Sequence, residues 1–274
     1  MNVAVLITVF NRKRETLECL GRLFCQHFKN KCHVEVYLTN DGCTDGTPEA
    51  VRQEYPSVHI INGNGNLFWN RGMYKAWCEA EKTQHDYYLW LNDDTMLFDD
   101  AVDHLINLSQ EKKDKAIIVG TTLDAEMKRI TYGGFDKQGH LIADIKDTTT
   151  ECYTWNGNIV LIPQYVYEHV GKNDPIFHHA IGDTDYGLRA RKLGISSYLS
   201  DKPCGTCDLH PSMPKWKDPK VPLIKRFKYL YSPGGNGSNP IQFFIFKRRH
   251  YGLVKAIGTF FSNHLHTLFP QLWK

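Results

Sequence analysis

The chain has 274 residues, 42% of them hydrophobic and 23% charged, a composition that supports a sizeable core and excludes a disordered chain. This length corresponds to one large domain, or to one domain with an appendage. The net charge of +3 conceals an asymmetry: from Lys215 onward 11 Lys and Arg stand against one acid, Asp218, so this segment is +10 and the rest −7. A basic tail on an acidic body predicts an anionic partner for the tail.

Val3 to Val9 is a continuous apolar run, as expected of a strand covered on both faces. Its N-terminal flank lacks the basic and small-residue signals of an export peptide, and no apolar run reaches the ~18 residues that cross a bilayer. The expected location is therefore the cytoplasm, with membrane contact limited to the periphery. Asn11 is predicted to cap a helix whose apolar positions are Leu17, Leu20, Leu23 and Phe24. Val34 to Leu38 is a second strand ending in Asn40-Asp41-Gly42, and Thr44 to Pro48 opens the next helix. Val58 to Ile61 is a third strand, followed by a Gly/Asn loop and a helix around Met73 to Ala80. Tyr87 to Leu91 is a fourth, ended by Asn92-Asp93-Asp94-Thr95. Strands alternating with helices predict an α/β fold with right-handed crossovers and a mainly parallel sheet.

Beyond Asp114 the pattern changes. Ala116 to Thr121 reads as a strand, Arg129 to Tyr132 with Leu141-Ile142 as hairpin pieces, and Asn158 to Ile162 as a further strand. Asp183 to Leu193 reads as a helix with Leu188 and Leu193 turned inward. The basic tail reads as helical pieces split by the Pro/Gly/Asn/Ser-rich stretch 232–240. The eight cysteines are expected to be reduced thiols, with Cys19, Cys25, Cys32, Cys43 and Cys78 acting as small buried hydrophobes.

Ligands of such sheets bind beyond the carboxyl ends of the strands. The polar clusters lie there: Thr8 to Arg12, Asn40 to Asp45, Asn62 to Asn66 and Asn92 to Thr95. Asp93 and Asp94, adjacent after a buried strand, repel each other and call for a cation, and their hard oxygens suit magnesium or manganese on a diphosphate. In Gly182-Asp183-Thr184-Asp185-Tyr186 one aspartate is either a helix cap or a general base, and spacing does not choose. Cys204, Cys207 and His210, with Cys152 as a fourth ligand, form a rival zinc reading against buried reduced thiols. His178-His179 reads as a pair of satisfied polar loop residues. Trp69, Trp77 and Trp90 are core candidates, whereas Trp155 is placed equally in the core or against an acceptor sugar.

Taken in order, these pieces resemble the family 2 glycosyltransferases of the GT-A fold, inverting enzymes that use nucleotide-sugar donors, including rhamnosyl- and galactosyltransferase-like enzymes of bacterial surface polysaccharides. Thr8-Val9-Phe10-Asn11-Arg12 matches the family's first strand end, and Asn40-Asp41-Gly42-Cys43-Thr44-Asp45 its nucleotide loop. Asn62 to Gly72 resembles the donor segment, Asn92-Asp93-Asp94 the Asp-x-Asp metal motif, and Gly182-Asp183-x-Asp185 to Arg189 the catalytic block. Asn40, Asn92 and Gly182 depart from the family's acidic residues.

The resemblance implies donor contacts from Thr8, Phe10, Asn11, Arg12, Asn40, Asp41, Asn66, Asn70, Asn92 and Asp93. It implies Mn2+ or Mg2+ on Asp94 and His210, Asp183 as base, and an acceptor loop at Trp155, Asn156 and Gly157. The donor is expected to be a UDP- or dTDP-sugar and the acceptor a saccharide or lipid-linked saccharide, with no nucleic acid as partner. Residues 1–213 would be the catalytic domain, split at 113 into nucleotide and acceptor halves, with 214–274 a helical extension. A nucleotidyltransferase is the alternative enzyme, disfavoured because Thr8 to Arg12 has no glycine, and a sugar- or nucleic-acid-binding protein the non-catalytic one.

Overall fold

The structure is a computed structural model and describes residues 1–145, 148–209, 214–233 and 239–272. His210, expected as a metal ligand, lies outside the described residues.

The first half alternates as expected: β1 (Asn2–Val9), α1 (Lys13–Phe24), β2 (His33–Asn40), α2 (Thr47–Glu54), β3 (His59–Asn62), α3 (Phe68–Ala80) and β4 (Tyr87–Leu91). After β5 (Met96–Leu97) and α4 (Ala101–Glu111) come β6 (Ile117–Leu123), β7 (Ile130–Tyr132), β8 (Gly134–Phe135), β9 (Thr150–Cys152), β10 (Thr154–Trp155) and β11 (Ile159–Pro163). α5 (Gln164–Val170), α6 (Gly182–Lys192) and β12 (Ser197–Thr206) follow, and the basic segment forms α7 (Leu223–Leu230), α8 (Pro240–Tyr251) and α9 (Leu253–Leu268).

The main sheet runs β3-β2-β1-β4-β11-β6-β12-β5. β1, β2, β3 and β4 are parallel, as are β6 and β12, but β11 enters antiparallel between β4 and β6. The fold is thus a mixed α/β sheet, and its strand order reverses between β1 and β4. Alternation along each strand divides the core cleanly. Val3, Val5, Ile7, Leu89, Leu91, Ile118 and Leu161 face α1, α2 and α4, while Ala4, Leu6, Tyr88, Trp90, Val119 and Val160 face α3, α5 and α6. Cys204 belongs to the first face and Cys152 to the second, so a zinc shared by both thiols is ruled out.

Several local expectations are corrected. Asn11 does not cap α1; with φ of 52° it turns across to Thr44, and Asp45 Oδ2 instead accepts the Lys13 N–H at 3.0 Å. Neither Asp183 nor Asp185 caps α6, because the helix starts from Ile181 in the left-handed region and both acids lie in its first turn. Leu193 is exposed at the end of α6 while Leu188 is buried, and Cys25 is exposed rather than buried. All eight cysteines are free thiols.

Candidate active site at the carboxyl edge of the sheet

The carboxyl ends of β1, β2 and β4 open on one cleft of about 750 Å³, a volume suited to a nucleotide-sized ligand. It lies where the strand order reverses, the position at which open α/β sheets bind ligands. Thr8, Phe10, Arg12, Asp41, Asn92, Asp93 and Asp94 line it, as expected from the sequence, together with Gly65, Phe68, Trp69, Tyr132, Asn158 and His179.

Asp41 shapes one wall. Its Oδ1 accepts the Gly65 N–H and its Oδ2 accepts those of Leu67 and Phe68, each at 2.9 Å. This folds the donor-segment loop over the end of β2. Gly63 is required there, because a Cβ on it would meet Asp41 Oδ1 at 2.7 Å. Asn40 and Asn11, expected to touch the donor, instead tie loops together: Asn40 accepts from the Cys43 N–H and donates to Asn62, and Asn11 accepts from Thr44. Asn66 is exposed, its backbone N–H bonded to Asn64.

Asn70 is corrected outright. It is fully buried, donates to the carbonyls of Asp174 and Phe177, and accepts from Asn173, so it pins α3 to the 173–178 loop and reaches no ligand. Trp155 is corrected as well. It is 1% exposed, packed on Trp90 and Tyr186 with its indole N–H on Ser197 Oγ, and has no face left for a sugar. The tryptophan that does line the cleft is Trp69, whose indole N–H donates to Asn92 Oδ1 at 2.7 Å.

Electrostatically the centre is Asp93-Asp94 with Arg12. The Arg12 guanidinium donates to Asp93 Oδ1 at 3.1 Å and also to Asp94 Oδ2. Burial pushes the Asp93 carboxyl up to about 7, with Arg12 opposing and Asp94 adding to the rise. Asp93 Oδ2 is buried with no hydrogen-bond partner. Asp94 also receives the Cys207 thiol, whose own proton affinity burial and Asp94 push up to about 12. Such a thiol is inert, in keeping with the reduced-thiol reading. His179 faces this cluster and is held neutral by burial and by Arg12.

Asp183 is not among the residues that line this cleft; it is linked to them through Gly157, which abuts the lining residue Trp69. Its Oδ2 accepts the Gly157 N–H at 3.1 Å and its Oδ1 the Thr184 N–H at 2.7 Å. Burial raises its proton affinity above that of an ordinary aspartate, against these two bonds. Gly157 is held to glycine by close approach, since a Cβ there would lie 2.5 Å from the Trp69 ring. Sequence read Trp69 as core and His179 as a satisfied polar loop residue, and Tyr132 and Asn158 only as strand positions; a tryptophan at the start of a helix that follows a glycine-rich loop was the one available signal.

Two adjacent carboxylates, one with an orphaned buried oxygen, provide hard ligands that fit magnesium or manganese completed by diphosphate oxygens. Among the described residues no group of three or more His, Cys, Asp or Glu gathers to hold a metal.

The architecture is that of the GT-A glycosyltransferases. It resembles S. aureus TarS 1-349 in complex with UDP-GlcNAc (TM-score 0.59, 13% identity, 96% of this chain and 81% of that one). It also resembles the mannosyltransferase PcManGT from Pyrobaculum calidifontis in complex with GDP-Man and Mn2+ (TM-score 0.56, 13% identity, 99% and 82%). Residues 4–158 match the profile described as Glycosyl transferase family 2, and the chain belongs to that family. An uncharacterized glycosyltransferase of Rickettsia bellii (strain RML369-C) is 27% identical over 169 residues, 59% of this chain and 21% of that protein. One from Rickettsia typhi (strain ATCC VR-144 / Wilmington) is 25% identical over 210 residues, 73% and 61% respectively. The chain therefore spans less than two thirds of these relatives, and it covers 49% of another TarS chain.

Proposed function

We propose that the protein is an inverting glycosyltransferase that moves a sugar from a nucleoside-diphosphate donor to a hydroxyl of a saccharide acceptor. The reading is carried by one observation: the Asp41-shaped loop, Arg12 and the Asp93-Asp94 pair converge in a single cleft in a chain of this family. A UDP- or dTDP-sugar is the donor we favour; UDP-GlcNAc and GDP-Man in the neighbouring structures support the donor class. We further place the acceptor on a lipid carrier, as part of a cell-surface polysaccharide, with the protein at the membrane periphery.

Each residue then has a physical task. Phe10, exposed at the cleft mouth, offers a face for the base, and the loop held by Asp41 encloses the nucleotide. Asp94 and Asp93 would hold the divalent cation, which when bound neutralises charge on the departing diphosphate. Arg12 lies beside both carboxylates and adds a fixed positive charge to the same place. Asp183, steadied by the Gly157 and Thr184 N–H groups, accepts the proton of the attacking hydroxyl. A single displacement at the anomeric carbon needs no protein nucleophile.

The test is a panel of UDP-, dTDP- and GDP-sugars, with Mn2+, Mg2+ or EDTA, in which the released product is identified. Release of nucleoside diphosphate with inverted anomeric configuration in the product supports the proposal. Release of pyrophosphate identifies a nucleotidyltransferase, and donor binding without turnover a non-catalytic sugar-binding protein.

A further inference from the structure

α9 is inside out for a helix of a globular protein. Val254, Ile257, Phe261, Leu265 and Leu268 recur at spacings of three and four and form one stripe, yet all five are exposed, Val254 at 87% and Phe261 at 66%. The opposite face carries Ala256, Asn263 and Thr267, and these are buried. Surface helices normally turn the apolar stripe inward and the polar one outward. Beside this stripe, α8 and α9 enclose an open groove of about 310 Å³ lined by Ile241, Phe244, Ile257, Phe260 and Phe261 alone. Contiguous apolar surface of this kind marks an interaction site.

The surrounding charge selects the occupant. Lys215, Lys220, Lys225, Lys228, Arg248 and Lys255 are exposed in the same C-terminal segment, whose net charge is +10. α7, which carries two of them, is joined to α9 by the Tyr231 hydroxyl and His264 Nε2 at 2.7 Å. A second copy of the chain would bring an equally cationic face against this one. An anionic phospholipid surface supplies the opposite charge and an apolar layer for the stripe. No helix of the described residues is long and apolar enough to cross a membrane, so the helix lies in the interface rather than spanning it.

We propose that the outer face of α9, with the α8–α9 groove, docks the protein on an anionic lipid bilayer. This deepens the peripheral placement given above and does not depend on which sugar is transferred. The test is flotation of the full chain with phosphatidylcholine vesicles, with or without phosphatidylglycerol, in the absence of nucleotide and sugar. Failure here is therefore distinguishable from failure of the transferase reading. Wild type is expected to float with the phosphatidylglycerol vesicles and weakly or not at all with pure phosphatidylcholine, the association falling at 1 M salt as the Debye length shrinks to about 3 Å. The double variant Val254→Glu/Phe261→Glu should lose at least about tenfold in partitioning at unchanged thermal midpoint, because its two exposed sites touch no core. Met127→Glu, on the distant exposed turn before β7, should bind as wild type. Three results would overturn the proposal: no flotation with anionic vesicles, equal flotation of the double variant, or a lipid-free dimer that the double variant dissolves.

Discussion

Asp183 and Trp69 meet at Gly157, one through a hydrogen bond to its N–H and the other through the space a Cβ would fill. Asp183→Asn keeps the shape but removes the base proposed above, so kcat should fall by at least about 100-fold. Nucleotide binding, read as the shift in melting temperature with UDP, should remain. Because burial raises the proton affinity of Asp183, the acid limb of kcat/KM should lie above the usual aspartate range, and its absence would reassign the base. The two tryptophans part company in a similar way. Trp155→Ala should cost about 3–5 kcal/mol of stability, seen in chemical denaturation, by opening a cavity beside Trp90 and Tyr186. Trp69→Phe should leave the fold intact and weaken donor binding by about 1 kcal/mol, because Asn92 loses its indole partner. Sequence made both residues visible but ranked them the other way, Trp69 as core and Trp155 as the one to share between core and acceptor, since a tryptophan's identity does not state which side of a sheet or which end of a helix it occupies. Gly182 was legible only as a departure from the family's glutamate; the structure supplies a reason, as a Cβ there would lie 2.0 Å from Asn70 Oδ1.

Among the elements, α3 is seated closely on β1. A Cβ on Gly72 would lie 2.3 Å from Thr8 Cγ2 and 2.5 Å from its Oγ1, so helix and strand touch through the missing side chain. Gly72→Ala should therefore destabilise the protein by about 1–3 kcal/mol and displace Thr8 at the cleft, measured as a lower melting temperature together with a raised donor Kd. Elements of the first half were legible because continuous apolar runs end in Asn, Asp and Gly, and each loop is short. β11 was legible as a strand but not as an antiparallel insertion, because an apolar run carries no direction and its partners β4 and β6 are remote in sequence. The same limit applies to α9. Its period announces an apolar stripe, and only the packing of Ala256, Asn263 and Thr267 on α7 and α8 shows that the stripe faces outward.

Across the whole molecule, one buried carboxylate on α6 joins the basic segment to the rest of the fold. Asp185, fully buried, accepts from Arg189 at 3.0 Å, from Arg249 at 2.8 Å and from His250 Nε2 at 2.7 Å, while Arg249 also reaches Asp174. Burial favours the neutral acid, but these partners outweigh it and hold the carboxyl below its ordinary value. The folded state therefore binds fewer protons than the unfolded chain near pH 4, and stability is full above that range and lost as pH falls through the depressed value. Asp185→Asn should cost about 3–5 kcal/mol at pH 7 and flatten the acid side of the stability profile, as followed by urea denaturation between pH 3 and 7. A profile as steep as wild type would show that other carboxylates govern acid unfolding.

Two of the three side chains that bond Asp185, Arg249 and His250, come from α8, and Gln242 of the same helix bonds the backbone N–H and ring of His178, next to the cleft residue His179. Shortening the polypeptide before Pro240 to make it easier to handle would thus strip a buried anion of one of its two arginines and of its histidine partner, two residues from Asp183. Such a trimmed protein would fail through α6, the helix that carries Asp183, rather than through lost anchorage. Surface point changes on the hairpin, not its removal, are the sound way to separate where the enzyme sits from what it does.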